Sequence, residues 1–220
     1  MSGKSPAMGR PVLIAGIVTL AVTLVRLWGE LRGLDARWFS TAPGGAGSVV
    51  GITWLMFVFG FWFGARLARG GAAPRSRARA LVLHLIAIAI LVATVAGVRA
   101  VSGADSSTLE GLKDLLLFSI PGAVVAALVA CFAWPRLWLA NFSYALLARI
   151  PVVVVTYVAC HRQWGTHYEK LGPHDLAVAD PMEKAFWLSV PQLALWPVLN
   201  VLAGGLCGTV AALVFRRRST

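Results

Sequence analysis

Three of the chain's four histidines and two of its acids fall between His161 and Asp175. The set His161, His167, Glu169, His174 and Asp175 offers imidazole and carboxylate, the donors that suit zinc or copper. The same groups are candidate general acids and bases for an outward-facing enzyme site. Their spacing, His-x5-His-x6-His, belongs to no zinc-metalloprotease helix or finger. Histidines six apart on a helix point about 120° apart, so a shared metal requires a turn, which Gly165 or Gly172-Pro173 supplies. The competing reading is a run of solvated loop side chains.

Arg149 is the second candidate. It sits mid-way along an apolar run, Leu137–Cys160, about 17 Å from either end at helical rise. Its own stem does not span that distance. An arginine at such depth is costly and faces a bundle interior, a cavity or a partner. Pro151 follows two residues later and leaves the carbonyl of Leu147 without its helical donor. Either Arg149 lines a polar cavity and meets a small anionic solute, a lipid headgroup or a quinone-like carbonyl, or it donates to freed carbonyls and packs the bundle. Tyr157, Gln192 and Asn200 are polar groups in the outer half of the same region. They form either a ligand vestibule, with Arg149, Tyr157 and Asn200 as its binding set, or ordinary interhelical hydrogen bonds.

The elements that position these residues follow from composition. Of 220 residues, 58% are hydrophobic and 13% charged, whereas soluble domains carry about 45–50% apolar and about 25% charged residues. A soluble fold of this length has no room for that much apolar surface, and three scattered cysteines make no disulfide scaffold. A bilayer-spanning helix takes about 20 apolar residues. Six stretches qualify, at about 11–31, 48–67, 80–101, 114–133, 137–160 and 191–215. The expected fold is therefore all-α: a polytopic membrane protein, one six-helix transmembrane bundle. The first run, preceded by Lys4 and Arg10, lacks a small-residue cleavage site and reads as a retained helix.

Charge then orients the bundle. Lys4, Arg10, Arg66, Arg69, Arg75, Arg77, Arg79, Arg136 and Arg216–Arg218 fall on one side; Arg32, Arg37, Arg99, Lys113, Arg162, Lys170 and Lys184 fall on the other. The basic excess marks the cytoplasmic face, which puts both termini inside and loop 161–180 outside a plasma (inner) membrane. All nine acids fall at the outer side. A net charge of +11 is thus an orientation signal rather than a nucleic-acid footprint. The basic loop 68–79 has no interleaved aromatics and reads as a retention signal against anionic headgroups.

Asp180-Pro181-Met182-Glu183 has the form of a capped helix start. A helix from there to Phe215 is too long for one span, so Pro191 and Pro197 are expected to break it into a short interfacial helix, Pro181–Val190, and a kinked sixth span. Trp187 and Trp196 suit that boundary. Gly60-x3-Gly64 and Gly204-x3-Gly208 permit close helix approach, within the chain or in a homo-oligomer. His84 has no intramembrane histidine partner for haem and reads as a bond to a neighbouring helix. Three functions fit: a protein binding or moving a small anionic solute or lipid around Arg149, an outward-facing enzyme using the histidine loop, or an accessory subunit of a membrane complex. Membrane lipids are partners in each.

Overall fold

The computed structural model describes residues 7–45, 47–103, 109–170 and 180–215. These are helical, with no strand among them: α1 (Gly9–Leu31), α2 (Ala36–Phe39), α3 (Leu55–Arg69), α4 (Arg77–Ser102), α5 (Leu109–Ala133), α6 (Pro135–Arg162) and α7 (Pro181–Val214), with 3-10 turns at Pro43–Gly45 and His167–Glu169. Five helices, α1, α4, α5, α6 and α7, are long and apolar enough to cross a membrane. Their outward faces carry exposed Leu13, Ile17, Val92 and Val154, which lipid covers at no cost.

The helix ends are set locally. Ser76 caps α4 by accepting from the Arg79 N–H at 3.2 Å, and Gly103 ends it in the left-handed region. Asp180 caps α7 through the Met182 N–H at 2.9 Å, with Pro181 in the first turn. Along α1, Ala15, Thr19, Thr23, Arg26 and Glu30 are buried. Their spacing of three or four places them on one face, so the helix carries a buried ion pair into the bundle.

α7 is the central helix, packed against α3, α4, α5 and α6. One core joins Val12 and Ala15 of α1, Phe59 and Phe63 of α3, and Tyr144 and Ala148 of α6. A second joins Ala87 and Leu91 of α4, Ala123 and Ala126 of α5, and Val201 and Leu202 of α7. The two glycine pairs meet inside the chain. A Cβ on Gly60 would collide with the backbone of Gly204, and one on Gly64 with that of Gly208. Because 60 meets 204 and 64 meets 208, α3 and α7 run in the same direction at backbone contact.

Two sequence expectations are revised here. The second apolar stretch, 48–67, is helical only from Leu55, and α3 has 15 residues, about 22 Å against a hydrocarbon core of about 30 Å. Residues 48–54 are not helical. Gly51 is buried, and a side chain there would stand 3.1 Å from Arg26 Nη1, so this segment is pressed against a guanidinium rather than wound into a helix. The expected break near Pro191 is also absent. α7 is one helix of 34 residues with both prolines buried inside it, and Pro121 likewise sits inside a continuous α5. No separate interfacial helix forms, because residues 181–190 are already packed. Ala185 and Leu188 pack with Cys160 and Tyr157, and Val190 packs against Leu112 and Leu116.

Candidate functional site

Arg149 projects from α6 into the bundle and is 4% exposed. Gln192 and Trp196, one turn apart on α7, receive it. Arg149 Nη1 donates to Gln192 Oε1 at 2.9 Å, and its Cζ stands 4.0 Å above the Trp196 ring. Trp196 is therefore a wall for a cation and not the interface anchor its amphipathic type suggested. Arg149 Nε is buried and has no acceptor among the described residues.

These side chains line a cavity of about 140 Å³. Val152 and Thr156 extend its α6 wall, because positions 149, 152 and 156 share a helix face. Ile52 and Thr53, from the unwound approach to α3, form the next wall, and His167, Tyr168 and Lys170 close the outer end. Arg26 completes the lining from α1. Among the described residues three permanent cations, Arg26, Arg149 and Lys170, line this space and no carboxylate does. Non-helical backbone at membrane depth is tolerated where it lines such a cavity.

Behind the cavity is a second cluster. Arg26 Nε donates to Glu30 Oε1 at 2.8 Å, and the Glu30 side chain is wholly buried. Arg26 Nη2 donates to the carbonyls of Ser40 at 3.1 Å and Gly45 at 3.2 Å. Gly45 is in the left-handed region and a Cβ there would press on Arg26 at 2.6 Å, so glycine is needed twice over. The His167 N–H donates to Glu30 Oε2 at 3.0 Å, and the imidazole Nδ1 is 2.6 Å from Oε1. Facing an ionised carboxylate, that nitrogen carries the proton, which leaves Nε2 of the neutral ring as an acceptor. Burial holds the His167 imidazole below its ordinary value of 6.5, while its hydrogen bond to Glu30 and that carboxylate's charge pull the other way. Burial also pushes the Tyr168 phenol up; its hydroxyl donates to the Thr23 carbonyl at 3.4 Å.

In the described part of the histidine loop, Glu30 and Thr166 engage His167 and Glu169. Glu169 accepts from Thr166 N at 3.2 Å and closes a capping box, fixing the turn that presents His167. His161 is exposed on the last turn of α6. His174 and Asp175 lie outside the described residues. Among the described residues no group of three His, Cys, Asp or Glu side chains is placed to hold a metal.

Of Arg149, Tyr157 and Asn200, only Arg149 lines the cavity. Tyr157 is next to Thr156 and so about 100° around the helix; it packs with Cys160, Ala185 and Leu188. Asn200 follows Trp196 by one turn, deeper in the bundle, where its buried Oδ1 has no partner among the described residues. His84 bonds its neighbours as expected, through the Ala80 carbonyl at 2.8 Å and Thr209 Oγ1 at 3.4 Å. The residues that sequence reading passed over are Arg26, Glu30, Tyr168 and Lys170. The first two carried a visible signal: opposite charges four apart, on the same face as Ala15, Thr19 and Thr23.

No family model, curated protein or solved structure matches this chain. The site therefore stands on its own geometry.

Proposed function

We propose that this multi-pass membrane protein binds a small anionic group in the cavity around Arg149. The observation that carries the reading is the buried Nε of Arg149, which has no acceptor among the described residues while Nη1 is held by Gln192. A buried donor of a charged group left unpaired is costly. The edge that Nε shares with Nη2 is one that a carboxylate or phosphate takes with two parallel hydrogen bonds. Lys170 adds positive potential, and the two described acids nearby have other partners: Glu30 is held by Arg26 and His167, and Glu169 by the Thr166 N–H. At about 30 Å³ per water-sized group, the cavity of about 140 Å³ holds a carboxylate or phosphate head rather than a large solute.

The topology that accompanies this reading has six crossings, α3 and the non-helical residues 48–54 together making the second, and both termini in the cytoplasm. What supports it is the shared direction of α3 and α7, together with the basic residues at the end of α3 and in the first turns of α4 and α6. The cavity then opens toward the outer face of the plasma membrane.

A second reading, an enzyme at this same cavity, has one observation in its favour. His167 is held by Glu30 as a general base is held by its orienting carboxylate, with Arg149 placed to stabilise negative charge.

The test is thermal unfolding of the detergent-solubilised protein with acetate, phosphate and sulfate, for the wild type and Arg149→Leu. The expected result is that at least one of these anions raises the wild-type midpoint and leaves the variant's unchanged. A wild type indifferent to all three, or a variant stabilised equally, overturns the proposal. Turnover of a carboxylic or phosphoric ester, abolished by His167→Gln, would favour the enzyme.

A further inference from the structure

A second cavity, of about 450 Å³, lies at the opposite, basic end of the helices, between the connection that follows α3 and the junction of α5 with α6. Arg75 and Arg79 line it from one side and Arg136 from the other, with Phe132 and Trp134 between them. It is a formed feature rather than a gap between mobile loops. The indole N–H of buried Trp134 donates to the Ala72 carbonyl at 3.0 Å, across 62 positions of sequence, and Ala72 belongs to the main core. Ser76 fixes the start of α4 by accepting from the Arg79 backbone. The first turn of α6 begins at this cavity without a side-chain cap.

Among the described residues the three guanidinium groups have no counter-ion. Glu30, Asp35, Glu110, Asp114, Glu169, Asp180 and Glu183 all sit at the other ends of their helices or in the loops there. Arg75, Arg79 and Arg136 are exposed and bring three like charges to one cavity whose lining holds no acid. Arg69, by contrast, is turned onto the Phe215 ring, 4.0 Å from its centroid.

We propose that this cavity binds a phosphate group, carried by an anionic phospholipid headgroup. Guanidinium forks match phosphate oxygens in pairs, Arg75 and Arg79 holding one side of the headgroup and Arg136 the other. Phe132, which is exposed beside the site, meets the lipid's glycerol and upper acyl carbons.

The experiment measures retained lipid by native mass spectrometry, and the unfolding midpoint, for protein exchanged into vesicles or micelles containing phosphatidylglycerol or phosphatidylcholine. A parallel arm uses glycerol phosphate and inorganic phosphate in detergent alone. Three proteins are compared: wild type, Arg75→Gln/Arg136→Gln, and Arg10→Gln/Arg66→Gln. The last removes equal charge from the same end but outside the cavity. The expected result is retention of phosphatidylglycerol over phosphatidylcholine by the wild type and by the Arg10/Arg66 variant, with at least tenfold weaker retention by the Arg75/Arg136 variant. Equal loss in both variants overturns the proposal in favour of diffuse surface charge, and no lipid preference in the wild type overturns it outright. Stabilisation by glycerol phosphate or phosphate matching that by the lipid, lost in the Arg75/Arg136 variant, keeps the phosphate site and overturns the lipid as its source.

Discussion

Arg26, on α1, and Arg149, on α6, line the same cavity, yet one is saturated with partners and the other is not. Arg26 meets Glu30 on its own helix and two loop carbonyls. Glu30 in turn anchors the turn carrying His167. Arg149 is fixed by a neutral amide and an indole face, which orient the charge without neutralising it. An arginine whose acid lies four residues away forms its pair wherever its helix forms. One with no acid at its depth keeps its charge available. The first holds loops in place; the second keeps a donor, Nε, for the anion proposed above.

The comparison breaks most readily at Glu30. Glu30→Leu strands Arg26 as an unpaired buried charge and removes the anchor of His167. The expected cost is about 3–5 kcal/mol, read as a collapse of the unfolding midpoint or loss of a monodisperse species in detergent. A midpoint equal to the wild type's would show that Arg26 does not depend on its pair.

Gln192→Leu removes the one side-chain hydrogen bond that Arg149 makes among the described residues. A hydrogen bond to a charged group is worth about 1.5–3 kcal/mol, and the midpoint should fall by a corresponding amount. Restoration by Gln192→Glu, which supplies a formal counter-charge, would sharpen the contrast, and that variant should also lose anion-induced stabilisation. If it instead binds added anions as the wild type does, Arg149 is not the group they meet.

Arg149→Leu should behave oppositely to Glu30→Leu. It gives up the amide bond and a cation–π contact of about 0.5–2 kcal/mol, but also removes a desolvated charge whose burial costs several kcal/mol. Chemical denaturation should therefore find stability unchanged or raised. A loss as large as that of Glu30→Leu would make Arg149 a structural clamp like Arg26.

The smallest effect concerns pH on the Arg26 side. Burial holds His167 below 6.5 in the folded protein, so as pH falls the unfolded chain takes up the proton first. The stability contributed by the neutral ring is complete above 6.5 and is lost as pH falls from there toward the lower folded value. Midpoints measured from about pH 7 to about pH 5 should drop more steeply for wild type than for His167→Gln. Parallel slopes would remove His167 from the account.

Hydropathy found the five long helices because lipid demands a continuous apolar run and little else. It misread residues 48–54, since Val49, Val50 and Ile52 are as apolar unwound as wound. In the structure Gly51 and Thr53 stand beside Arg26, distant in sequence, and no local pattern announces that neighbour. Pro191 and Pro197 misled for a related reason. Proline's local cost is visible in sequence, whereas the packing of α3, α5 and α6 around a continuous α7 is not. Arg149 was legible from its depth alone. The contact of Glu30 with His167 was not, because it joins positions 137 apart, and a loop histidine gives no local sign of being packed against a helix.

The central claim is that Arg149 Nε is open where Arg26 Nε is taken. The most direct measurement is a nitrogen–proton correlation spectrum of the arginine side chains, with Arg26 and Arg149 assigned by Arg→Lys substitution, during titration with acetate or phosphate. The account predicts that the Arg149 Nε–H resonance shifts and saturates while that of Arg26, held by Glu30, stays in place. A static Arg149 resonance, or a shift confined to Arg26, would contradict it.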